Sequence, residues 1–118
     1  MFMSMPMQSF AQEISSYSVN PRFTYISYYR LYFNAENGNA HIEADLQGKS
    51  DVTYTYIKCN LEKLTGTYWM QMKSFSATGY DSTELYVDYP IEKGTYRVMT
   101  TFKCNTEVQT VYSQNDTY

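Results

Sequence analysis

Ala40-His41-Ile42-Glu43-Ala44-Asp45-Leu46-Gln47 decides the fold class. Ala40, Ile42, Ala44 and Leu46 fall on one side of an extended chain, and His41, Glu43, Asp45 and Gln47 on the other. Side chains alternate faces with period 2 in a strand, whereas helical spacing would not separate the two sets so cleanly. A strand with one apolar face must bury that face against a second sheet.

The same reading extends in both directions. Upstream, Asn37-Gly38 sits in the turn cluster 34–39 and supplies the positive-φ positions of a tight hairpin, so a Tyr- and Ile-rich strand is expected over 23–33. Downstream, Gly48-Lys49-Ser50-Asp51 breaks the chain before a strand over 52–63. Ile57, Cys59 and Leu61 share one of its sides, and Tyr54, Tyr56, Lys58, Asn60 and Glu62 the other. Leu64-Thr65-Gly66-Thr67 turns into a strand over 68–75 that holds the single Trp, and 77–82 reads as a loop. A strand over 84–89 stops at Pro90, which has no N–H to donate. Glu92-Lys93-Gly94 leads into 95–105, with Tyr96, Val98, Thr100, Phe102 and Cys104 on one face, and 107–112 forms the last strand. The pattern predicts an all-β chain, an immunoglobulin- or fibronectin III-like β-sandwich of about seven strands over 22–114.

Outside that domain, Ser9-Phe10-Ala11 ends an uncharged, Met-rich opening with small residues at alternate positions. Residues 1–11 therefore read as the remnant of a secretory signal peptide, with Gln12-Glu13 opening the mature protein. Residues 12–21, broken by Asn20-Pro21, read as a linker, and 115–118 as a polar tail. No stretch approaches the ~20 apolar residues a spanning helix needs.

The chain has 118 residues, enough for one core. A net charge of −3 and nine scattered Lys and Arg point to no nucleic-acid or anionic-membrane partner. Fourteen Tyr and six Phe are the outlier. Flat amphipathic rings fill pleated, half-buried surfaces, and a surplus of them also suits an exposed recognition face.

The candidate chemistry is sparse. Cys59 and Cys104 lie on inward registers of neighbouring strands. A bridge between them would close a loop of roughly 45 residues, worth up to ~4 kcal/mol in the chain-entropy model, and it is expected here. Tyr96, just after Gly94, stands where sandwiches place a tyrosine corner, and Trp69 is expected in the core. His41 beside Glu43 is a His–carboxylate pair on a polar register, with no nucleophile to serve. No glycine-rich phosphate loop or calcium-loop pattern occurs, so neither enzymatic activity nor a cofactor or metal is expected.

The Asn-Gly turn, Leu61-Glu62-Lys63, Trp69 with Lys73-Ser74-Phe75, Lys93-Gly94-Thr95-Tyr96-Arg97-Val98 and Thr110-Val111-Tyr112-Ser113 form a series. It resembles a group of small, uncharacterised secreted single-domain proteins of anaerobic Firmicutes, many of them clostridial, over about 15–118. The resemblance implies an extracellular compartment and carries over no catalytic residue or ligand. The two cysteines and the high Tyr content depart from that group's pattern.

These readings lead to a secreted, non-enzymatic binding or adhesion module for an extracellular protein or glycan. Tyr54, Tyr56 and Lys58 are expected on one sheet face with Arg97, Met99 and Lys103, and with Tyr68 and Met70 beside them. Tyr, Arg and Met are enriched at interfaces. Two alternatives stand next to it. One is a carbohydrate-binding module with a row of exposed aromatics (Tyr54, Tyr56, Tyr68, Trp69), and the other an assembly protein that pairs through strand edges.

Overall fold

The computed structural model describes residues 16–18 and 22–118. The expected signal remnant over 1–11 lies outside them. Among the described residues nine strands run in chain order: β1 (Ser16–Ser18), β2 (Ile26–Glu36), β3 (Asn39–Gly48), β4 (Thr55–Thr65), β5 (Tyr68–Gly79), β6 (Ser82–Pro90), β7 (Thr95–Cys104), β8 (Glu107–Tyr112) and β9 (Asp116–Thr117). The first sheet has the order β1-β2-β3-β6, the second β5-β4-β7-β8 with β9 also on β7. Every pairing is antiparallel. The strands β2 to β8 are the seven read from the sequence. Their arrangement, β2-β3-β6 over β5-β4-β7-β8, is that of an immunoglobulin/fibronectin III-like sandwich.

Alternation builds the core. Leu31, Phe33, Ala40, Ile42, Ala44 and Leu46 from the first sheet meet Ile57, Cys59, Leu61, Val98 and Phe102 from the second, all buried. Tyr29 stacks on Phe102 across the gap, with ring centroids 4.8 Å apart. Asn37 and Gly38 take φ of 54° and 79°, so the β2–β3 hairpin needs only two turn residues and β2 extends to Glu36. Tyr96 is buried, and its hydroxyl donates to the Glu92 carbonyl at 2.8 Å, forming the tyrosine corner.

Three segments differ from the sequence reading. Residues 77–79 are not a loop: Ala77 and Gly79 pair with Ile57 and Thr55, and the turn shrinks to Tyr80 and Asp81. The expected linker contains β1, whose backbone pairs with Tyr29 to Leu31 of β2. The expected tail carries β9, which pairs with Thr95 and Tyr96. Asp116 accepts from the Ala35 N–H at 2.8 Å, and Tyr118 exchanges backbone bonds with Gly94. Polar side chains concealed these pairings because backbone N–H and C=O groups pair whatever side chain they carry.

Candidate functional site

The outer face of the second sheet collects most of the residues singled out above. Tyr56, Lys58, Asn60 and Glu62 of β4 stand opposite Lys103, Thr101, Met99 and Arg97 of β7. Tyr54 continues the row ahead of β4 and is 41% exposed. Its ring lies parallel to that of Tyr56, with centroids 6.5 Å apart and planes 10° apart, and the Lys103 ammonium stands 6.0 Å from it. At the other end, Arg97 Nε donates to Glu62 at 2.7 Å. Its guanidinium lies 4.3 Å from the Trp69 ring centroid and 4.6 Å from that of Tyr112. Each such contact contributes about 0.5–1 kcal/mol at an exposed site, and the Trp69–Arg97–Tyr112 stack spans the sheet from β5 over to β8.

Tyr68 and Trp69 exchange the places expected for them. Phe75 faces the core opposite Cys59, and unbroken alternation back from it would turn Trp69 inward too. A bulge interrupts that alternation: Leu61 pairs with Lys73 but Glu62 with Gln71, which leaves Met72 as the extra residue. One added residue sends every earlier side chain to the opposite face. Trp69 therefore joins the outer row, half-buried. Tyr68 and Met70 pair with Thr65 and Lys63 on the inner register, beyond the core, and Tyr68 is 59% exposed. On that side Met72 lines a recess of about 130 Å³ with Lys63, Tyr89, Ile91 and Tyr96.

The expected disulfide is overturned. Both cysteines are free and buried on the inner face of the second sheet. Cys104 pairs with Thr55 and Cys59 with Thr100, which separates the cysteines by four ladder steps, about 13 Å along the strands. A bridge needs Cα atoms within ~7 Å. Sharing a face and a pair of strands was legible in the sequence, but register was not. Burial pushes the Cys59 thiol up to about 11, with the Thr100 hydroxyl opposing. Burial and the Glu107 charge raise Cys104 to about 11 as well. Both thiols stay protonated near neutral pH, and the thiolate is the reactive form. A thiol-titrating reagent is therefore expected to find no reactive sulfur in the native protein and two per chain in denaturant without reductant. One fast-reacting native thiol would contradict this packing.

The outer face of the first sheet holds the His41 network. The ring's Nδ1 meets Asp88 and its Nε2 meets Glu43, each at 2.7 Å. Arg30 donates to Glu43 and Asp45, each at 2.8 Å, and the Tyr86 hydroxyl donates to Asp45 at 2.9 Å. The Glu43 hydrogen bond raises the His41 pKa against the pull of burial, and Asp88 adds to the rise. Arg30 first, then His41, hold the Glu43 carboxyl below its usual range. Both ring nitrogens are engaged by carboxylates, so the network ties β2, β3 and β6 together as cross-strand charge pairs.

Among the described residues no group of three or more His, Cys, Asp or Glu could hold a metal ion, and no helix is long and apolar enough to cross a membrane. Comparison with known proteins finds no matching family model, no similar curated protein and no similar solved structure.

Proposed function

We propose that this protein is a non-enzymatic binding module that engages an extracellular protein or glycan through the outer face of the second sheet. The observation that carries the reading is the row of aromatic rings on that face, each in contact with a neighbour: Tyr54 beside Tyr56, and Trp69 and Tyr112 against Arg97. Aromatic side chains offer large contact area at low conformational-entropy cost, which favours affinity. Export is supported by the Ser9-Phe10-Ala11 sequence and no longer by a disulfide. Strand-edge assembly is the weaker reading, since the β5 edge carries a bulge and Lys73, and β6 ends in Pro90; all three are devices that blunt an edge.

The test is retention of the protein on a panel of insoluble cell-wall polysaccharides and immobilised extracellular proteins, with Tyr54→Ala/Tyr56→Ala and Trp69→Ala compared with wild type. At least a tenfold affinity loss is expected in the double variant, with an unchanged circular dichroism spectrum. Full binding by both variants would move the site off this face.

A further inference from the structure

The fold sorts charge in a way a net −3 conceals. On its outer face the second sheet carries Lys58, Arg97 and Lys103 against Glu62 alone. The first sheet's outer face carries Glu36, Glu43, Asp45, Glu84 and Asp88 against Arg30 and His41. An acidic chain thus presents one cationic, aromatic face. We propose that the Tyr54–Tyr56 end of this face is a subsite for an acidic polysaccharide, with Lys58 and Lys103 taking the carboxylates of its uronate residues. This rests on the reading of the face as the binding surface and names its ligand class.

The cations differ in what already occupies them. Arg97 is engaged by Glu62 and two rings. Lys58 has no carboxylate partner among the described residues, and the contact shown by Lys103 is the Tyr54 ring. Lys103 stands directly opposite Tyr56, and Lys58 opposite Thr101, so the two lysines are diagonal neighbours about 7–8 Å apart. Two lysines rooted at that backbone spacing, on flexible side chains beside two parallel rings, can reach carboxylates at the rim of a chain of sugars that packs against the aromatics. Thr101 and Ser76, the cross-strand partners of Lys58, and Thr78, that of Tyr56, supply hydroxyls that both donate to and accept from sugar hydroxyls.

A second copy is the competing occupant, its acidic face docking on this cationic one. Glu43, Asp45 and Asp88 are already held by Arg30, His41 and Tyr86, so docking through these three, the majority of that face's carboxylates, would compete with bonds already made. An external polyanion faces no such competition.

Affinity electrophoresis through gels containing polygalacturonate, its methyl-esterified form, alginate or polyphosphate tests the proposal. Retardation by polygalacturonate or alginate is expected, abolished by methyl esterification and weakened by added salt. Lys58→Gln/Lys103→Gln should raise the apparent Kd about tenfold, from two exposed ion pairs. Equal retardation by the methyl-esterified polymer would overturn the acidic ligand while leaving the binding face intact. Equal retention by polyphosphate would reduce the interaction to bulk charge and overturn sugar recognition. No retardation by either polyuronate would overturn the ligand class, and the Tyr54→Ala/Tyr56→Ala comparison would then decide separately on the face. Self-association in sedimentation that Lys58→Gln/Lys103→Gln abolishes would make the second copy the occupant.

Discussion

Phe102→Ala is expected to lower unfolding stability by about 3–5 kcal/mol in a denaturant titration, the range for removing a fully buried aromatic ring. Phe102 has 0% exposure and sits two residues before the end of β7, where its ring stacks on Tyr29 of the opposite sheet at 4.8 Å. It is one of the contacts that hold the two sheets face to face. Its neighbours belong to paired strands, so they cannot close in on the space that the ring leaves. The cost therefore includes the cavity as well as the lost transfer energy. Phe102→Leu should recover much of the loss, because it refills part of the volume. A loss below about 1 kcal/mol for the alanine variant would show that the sheets collapse over the gap, contrary to a close-packed interior.

Glu107→Ala should cost about 2–4 kcal/mol at neutral pH, from three charge-assisted hydrogen bonds that do not add fully. The Glu107 carboxylate accepts from the backbone N–H groups of Thr24, Tyr25 and Ile26 at 2.7–2.9 Å. This clasps the chain entering β2 in the first sheet to the first residue of β8 in the second. Burial pushes the carboxyl pKa up, but the three N–H groups and Lys49 outweigh it, and the net result lies below the ordinary 4.5. A depressed folded-state pKa makes the clasp fully effective above the unfolded value. Its contribution is lost as the pH falls through the lower folded value. The gap between wild type and Glu107→Ala should therefore be constant near neutrality and close on the acid side. A gap that stayed constant from neutral pH to below the folded pKa would mean that the carboxylate charge is not what holds the clasp.

The elements legible in the sequence were those set by local chemistry. Alternation over 40–47 fixes which side chains of β3 are buried, Asn37-Gly38 fits a two-residue turn, and Gly94-Thr95-Tyr96 places a tyrosine corner. Most of the candidate face followed as well, because Tyr54, Tyr56 and Lys58 alternate along one strand, Arg97 and Met99 along the other, and no bulge shifts β4 against β7. Glu107 went unread, since nothing about an isolated Glu at the start of a strand announces three N–H donors more than 80 residues earlier in the chain.

What the amino-acid sequence determined by itself was the fold class, the strand sequence and the inward or outward sense of most side chains, because these depend on neighbours one or two residues away. What only the tertiary structure decided was register, bulge and pairing partner. Register put four ladder steps between Cys59 and Cys104. The bulge at Met72 turned Trp69 onto Arg97 and Tyr68 away from it. Pairing gave the polar segments Ser16–Ser18 and Asp116–Thr117 places beside β2 and β7, and separated a cationic face from an acidic one. Each is settled by how strands meet across the sheet, where a shift of one residue costs little in local conformation and changes every contact.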